Sequence, residues 1–190
     1  MTIPLVTLNT ARLELLPAEP GFARALLAFE LANRDHFARW DPNRDAFYFT
    51  ELHLGLRLRQ YQREAEEGRG AAFLLTPKGE PQQIIGQITL SQIVRGVFQA
   101  AYLGYRIDAR YEGQGLMREA LAAVLAFALD TLRLHRIMAN YQPDNERSAR
   151  LLARCGFRIE GLARDYLFLN GAWRDHVLTA LTNPDPLLQP

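Results

Sequence analysis

The sequence predicts a mixed α/β domain in which helices flank a twisted, mostly antiparallel sheet. Three observations lead there. Two helical segments precede most of the β-texture. Three apolar β-runs then follow one another through turn sequences, as a meander does. A long segment over 115–131 with an apolar stripe comes directly after the third run.

Taken in order, Arg12 to Leu16 alternates and reads as a strand closed by Pro17. Pro20 to about Asn33 sets Phe22, Leu26 and Phe29 at near-helical spacing, and Trp40-Asp41-Pro42-Asn43 ends that unit as a loop. Thr50 supplies an N-cap for a second helix carrying Leu52, Leu56, Arg59 and Arg63 to about Gly68. The meander runs Ala71 to Thr76, Gln83 to Val94 and Phe98 to Ile107, with turns at Pro77-Lys78-Gly79 and Arg95-Gly96. Leu116, Ala120, Ala123, Val124, Phe127 and Ala128 form the stripe of the long helix. Arg136 to Tyr141 reads as a buried strand, Asn145 to Cys155 as a short helix ended by Gly156, and Phe157 to Leu162 as a strand. A hairpin closes the fold: Tyr166 to Leu169, a turn at Asn170-Gly171, and Trp173 to Leu181. The expected organisation is one domain over 1–182 with a proline-rich tail over 183–190.

Composition narrows the function. With 48% hydrophobic and 23% charged residues, the 190-residue chain folds around a core. Its 22 basic and 21 acidic residues leave a net charge of +1, too little to gather DNA non-specifically. A single cysteine, Cys155, excludes an internal disulfide and a multi-thiolate zinc site, and the four histidines show no ligand spacing, so no metal is expected. The longest apolar run, Ala120 to Leu129, is about half a membrane span, and Met1 to Thr10 lacks a leader pattern. The expectation is a cytoplasmic protein without membrane or DNA partners.

The sharpest local feature is Arg110-Tyr111-Glu112-Gly113-Gln114-Gly115, between a strand and the long helix. Two glycines let the main chain approach an oxygen-rich ligand, and the first helical turn adds free N–H groups and the positive dipole end. A plain connecting turn fits the same six residues. No Gly-Lys-Ser/Thr follows and no third glycine is present, which disfavours nucleoside triphosphates and dinucleotides. Downstream, Asn145-Glu146-Arg147-Ser148 leads through Leu151-Leu152 to Gly156-Phe157.

The two segments together, in this order and spacing, resemble the GNAT superfamily of N-acetyltransferases. Asn33-Arg34-Asp35-His36-Phe37, Trp40-Asp41-Pro42, His135 to Tyr141 and Trp173-Arg174-Asp175-His176-Val177-Leu178 are similar to the bacterial members that acetylate ribosomal-protein amino termini. The likeness runs through nearly the whole chain. It implies acetyl-CoA as donor and an amino-terminal alanine of a small-subunit ribosomal protein as acceptor; the sequence leaves monomer and homodimer both open.

Carried onto this sequence, the resemblance places the diphosphate of coenzyme A on Arg110, Glu112, Gly113, Gln114 and Gly115, with Leu116 and Met117 opening the helix beneath. Tyr105, Arg106 and Ile107 would hydrogen-bond the pantetheine amides through their main chain, as an added strand does. Asn145 would fix the pantetheine arm, Ser148 would protonate the leaving thiolate, and Arg150 would meet the adenosine phosphate. Ser148 is equally a local hydrogen-bonding residue at a helix start. Arg147, Arg150 and Arg154 also fit a solvated helix face or a contact to ribosomal RNA. Many relatives carry a tyrosine where Leu152 stands and a glutamate on the strand that here reads Ala100 to Tyr105; both are absent.

The missing carboxylate bears on the acceptor. An α-amine of pKa about 7.8 is neutral in roughly one molecule in seven at pH 7, a lysine amine of about 10.4 in roughly one in 2,500. That gap is worth about 3.5 kcal/mol. A site without a strong base therefore suits a chain terminus. Trp40, Tyr166 and His176 are the candidate acceptor-side residues; Tyr166, His176 and Asp165 are also candidate proton acceptors, and Trp40 fits a core or lid position as well. A small-molecule amine acetyltransferase and a non-catalytic coenzyme A-binding assembly factor stay open on the same scaffold. Cys155 beside a helix-ending glycine reads as packing rather than as a nucleophile.

Overall fold

In the computed structural model, which describes residues 2–183, two short strands, β1 (Leu8–Asn9) and β2 (Leu13–Pro17), lead through a 3-10 turn into α1 (Ala23–Ala32) and α2 (Arg34–Phe37). Next come α3 (Glu51–Glu66) and the meander β3 (Ala71–Pro77), β4 (Gly86–Val94) and β5 (Ala100–Ile107). The second half contains α4 (Leu116–Ala126), β6 (Arg136–Met138), α5 (Glu146–Arg154), β7 (Arg158–Leu169) and β8 (Ala172–Thr182). Together the strands make one eight-stranded sheet in the order β1-β2-β3-β4-β5-β6-β8-β7.

Every pairing is antiparallel except β5 with β6, the one joined by a helical crossover through α4. That parallel contact is brief: Ala100, Ala101 and Tyr102 pair with Arg136, Ile137 and Met138. β5 continues to Ile107 against β4 alone, while β6 ends at Met138. The sheet thus splays along one edge of β5.

Helices cover both faces. Alternation along β3 sends Phe73 and Leu75 into the core beneath α4, with Leu121, Val124 and Phe127. Ala72 and Leu74 enter the opposite core with Leu26, Phe29, Leu54 and Leu58 of α1 and α3.

Several elements depart from their sequence-based limits. The long helix is α-helical only to Ala126 and then widens into a π-type turn over Phe127–Thr131, in which Leu132 N donates to Phe127 O at 2.9 Å. The wider turn carries the apolar face onward, with Phe127, Ala128 and Leu132 all buried. The strands expected over 157–162 and 166–169 are one bulged strand, β7; its bulge places Asp165 at φ 49°, with its N–H donating to the Asp175 carboxylate at 3.0 Å. The strand expected to reach Tyr141 stops at Met138, and Tyr141 returns as a single bridge to Val177. β1 and α2, two and four residues long, gave no periodic signal. The proline-rich tail expected over 183–190 lies, beyond Asn183, outside the described residues.

Candidate active site

The loop after β5 is stiffened from below. Asp108, 2% exposed, accepts from Arg110 N at 2.8 Å and from the Arg110 guanidinium at 2.7 Å, capping a 3-10 turn over Ala109–Tyr111. The Arg110 hydrogen bonds hold the Asp108 carboxyl down to about 2, against the opposing pull of burial. Gly113 and Gly115 follow at φ 73° and 77°, in the left-handed region that glycine alone adopts cheaply. A Cβ on Gly113 would meet nothing within 4 Å, so this side of the loop is open. The N–H groups from Gly113 to Met117 have no acceptor among the described residues, and α4 begins at Leu116. Leu116 and Met117 bury their side chains in the core and so present only main chain here.

Ties from three other elements fix this loop. Gln114 Nε2 donates to Arg110 O at 2.9 Å, and Arg12 Nη1 donates to Gln114 O at 3.0 Å while its Nε pairs with Glu119 at 2.7 Å. Glu112 bridges His36 of α2, at 3.2 Å, and Arg147 of α5. The outcome is a tied-down run of N–H donors at a helix N-terminus, a chemistry suited to a diphosphate.

A cleft of about 310 Å³ opens in the splay beside β5. Asp108 N donates to Ile85 O across the β4 side at 2.8 Å, so strand alternation turns the main chain of Arg106 to β4 and those of Tyr105 and Ile107 to the open edge. Ser148 lies in the first turn of α5, where its N–H donates to the capping Asn145 Oδ1 at 3.1 Å. Tyr105 Oη donates to Ser148 Oγ at 3.1 Å. Burial pushes the Tyr105 phenol up to about 12, so it is protonated throughout the neutral range. Burial also raises the half-buried Cys155 thiol, which keeps it from being a thiolate nucleophile near neutrality.

At the far end of the cleft stand Trp40 and Asp41 from the loop after α2, together with Gln87, Arg106 and His176. Trp40 is half-buried with the Arg39 guanidinium 4.5 Å above its ring. Arg106 is ion-paired with the buried Glu30, and its two terminal nitrogens also reach Asp41 at 3.4 Å and Gln87 at 2.8 Å. Burial disfavours its charge, but Glu30, Tyr48 and Asp41 outweigh that and raise its pKa. The tip of the β7–β8 hairpin closes over this end: Asn170 accepts from Asn43 N at 2.7 Å and donates to Ala38 O and Asp41 O at 3.1 and 3.2 Å. Tyr166 stands behind the wall, its ring 5.4 Å from that of His176 and its hydroxyl accepting from Asn140 at 3.0 Å.

Comparison with known proteins matches this chain along most of its length. Residues 12–158 fit the model of the Acetyltransferase (GNAT) domain. The chain belongs to the GNAT acetyltransferase family. Among curated GNAT relatives, the [ribosomal protein uS5]-alanine N-acetyltransferase of Escherichia coli is 43% identical over 96% of this chain and 94% of its own length. A ribosomal-protein-S5-alanine acetyltransferase from Vibrio fischeri superposes with a TM-score of 0.91 at 36% identity, covering 97% of this chain and all of that one. Mycobacterium smegmatis RimJ, solved with a CoA-disulfide, gives 0.89 at 31% identity over 96% of this chain and 90% of its own.

The structure gathers Tyr105, Arg106, Asn145, Ser148, Trp40 and His176 around one cleft. It sets Arg150 apart, exposed on α5 and paired with Glu146 at 2.9 Å. Leu152, where many family members have a tyrosine, is a buried core residue. Four residues escaped sequence reasoning: Arg12, the Tyr105 side chain, Asp41 as a cleft carboxylate and Gln87. Only Trp40-Asp41-Pro42 carried a hint, as part of the family likeness. Among the described residues no cluster of His, Cys, Asp and Glu is placed to hold a metal, and no helix is long and apolar enough to cross a membrane.

Proposed function

We propose that this protein transfers the acetyl group of acetyl-CoA to the amino-terminal α-amine of a ribosomal protein, with alanine as first residue, in the cytoplasm. What carries the reading is the chain order of three features: the main-chain edge of Tyr105 and Ile107 left open by β4, the N–H groups of Gly113 to Met117 without acceptors among the described residues, and the Tyr105–Ser148 hydroxyl pair. The 43% identity with the E. coli alanine-specific enzyme supports the acceptor class.

The residues fit the donor. N–H groups at the start of α4 take its diphosphate, the β5 edge takes its pantetheine amides, and Asn145 offers an amide N–H₂ that has no acceptor among the described residues. Binding both substrates side by side supplies proximity. The amine lone pair forms the C–N bond as the C–S bond breaks. The amine proton leaves to water, sulfur departs as a thiol with a proton from Ser148, Tyr105 resupplies Ser148 through their hydrogen bond, and water returns the amine's proton to Tyr105. The domain acting here is proposed to span 1–182, and the acceptor to sit on the small ribosomal subunit.

Intact masses of ribosomal proteins from cells with and without the gene test this reading. One small-subunit protein lighter by a single acetyl group in the deletion strain is the expected result. Unchanged masses throughout would refute it.

A further inference from the structure

The cleft wall contains one carboxylate among the described residues, Asp41. Glu30 lies nearby but is 2% exposed and already engaged by Arg106, Arg57 and Tyr48. Asp41 is different: its side chain is 36% exposed, and its one ion pair, to Arg106 Nη1, is long at 3.4 Å. A carboxylate offers about four lone-pair positions, so most of the acceptor capacity of Asp41 faces the cleft unused. Its main chain is pinned from both sides, N–H donating to Phe37 O at 2.9 Å and O accepting from Asn170 at 3.2 Å.

Gln87 presents the complementary group. Only 2% exposed, it accepts through Oε1 from Arg106 Nη2 at 2.8 Å and Arg57 Nη2 at 3.4 Å. Guanidinium groups have no acceptor, so these bonds fix which end of the amide is nitrogen. That nitrogen, Nε2, is buried without a partner, although Gln87 lines the cleft. Buried amide donors are rarely left unpaired, and an orphan on a residue that lines a substrate cleft is accounted for by a partner that arrives with the substrate.

We infer that Asp41 and Gln87 together read the first residue of a polypeptide, Asp41 binding its α-ammonium and Gln87 its carbonyl oxygen. Arg106 holds the two groups one guanidinium apart, Nη1 on Asp41 and Nη2 on Gln87. An ammonium and a carbonyl separated by a single carbon are what every chain terminus presents. A polyamine or an aminoglycoside supplies the ammonium without that carbonyl. The pair therefore selects chain ends over free amines before any side chain is consulted. This inference rests on the acceptor class proposed above.

The test uses the full chain, acetyl-CoA, and two acceptors: a peptide beginning with alanine, and the same peptide with its first carbonyl reduced to CH₂. Wild type is expected to favour the carbonyl peptide through KM. Gln87→Glu keeps an oxygen for both arginines, removes the donor and adds a negative charge. It is expected to raise KM for the carbonyl peptide about tenfold and to leave the reduced peptide unaffected, so the preference collapses. Gln87→Met, which removes the donor without adding charge, gives the same collapse should the glutamate variant misfold, with thermal melting and coenzyme A affinity reporting integrity. Asp41→Asn raises KM for both peptides about tenfold, again with coenzyme A affinity intact. Turnover by folded variants with unchanged KM values overturns the inference while leaving the acetyltransferase reading in place. Failure of wild type to acetylate either peptide overturns both.

Discussion

Replacing Gly113 by alanine separates what the loop does for folding from what it does for the donor. Gly113 sits at φ 73°, where a Cβ costs about 1–2 kcal/mol, and that Cβ would meet nothing within 4 Å. Backbone strain is thus the whole folding penalty. Gly79, in the turn between β3 and β4, offers a matched control, with φ 80° and equally open surroundings. Each variant is expected to lower Tm by about 2–8 °C. Only Gly113→Ala puts a methyl group on the loop whose N–H groups, Gly113 to Met117, have no acceptor among the described residues. Displacing one charge-assisted hydrogen bond to a phosphate costs about 1.5–3 kcal/mol, or about 10- to 100-fold in affinity. Calorimetric titration with coenzyme A reads the affinity and thermal unfolding reads the strain. Equal affinities in the two variants, at similar losses of Tm, would refute the assignment of the loop to the diphosphate.

Tyr105→Phe and Ser148→Ala are each expected to lower kcat about 10- to 100-fold, and the double variant little further, because the two hydroxyls act as one relay; additive losses in steady-state kinetics would show independent roles. Asp108, with its folded-state pKa near 2 against about 3.9 unfolded, contributes stability that is present above pH 4 and lost as pH falls from about 4 through 2. Solvent around the exposed Arg110 reduces that contribution to about 1 kcal/mol, so urea unfolding of Asp108→Asn is expected to lag wild type by this amount at pH 7 and to converge with it near pH 2. Leu121→Ala, a fully buried position under α4, is expected to cost about 2–5 kcal/mol in the same assay with coenzyme A affinity preserved in the folded fraction.

What was legible in the sequence was local. The meander showed because turn residues punctuate it, the long helix because its stripe repeats, and the Gly113–Gly115 loop because left-handed backbone demands glycine. Asn145 and Ser148 were visible as a helix start, and the structure uses them so, through the Asn145 cap. What stayed hidden depends on contacts across long stretches of chain. Arg12 reaches Gln114 from the turn before β2, but in a chain where all but one of 22 basic residues are arginine, nothing local distinguishes it. Asn170 read as a turn former, yet its side chain also latches the hairpin tip onto the loop bearing Trp40 and Asp41. Gln87 sits within a strand pattern, and only the arrival of Arg57 and Arg106 from α3 and β5 exposes its unpaired nitrogen. The π-type turn at Phe127–Thr131 was masked because its residues continue the apolar stripe.

The most direct test of acetyl transfer to a chain terminus is mass spectrometry of one peptide that begins with alanine and contains an internal lysine, incubated with the purified protein and acetyl-CoA. The account requires a single acetyl group on the α-nitrogen of the alanine. An acetyl group on the lysine side chain, or no transfer at all, would contradict it.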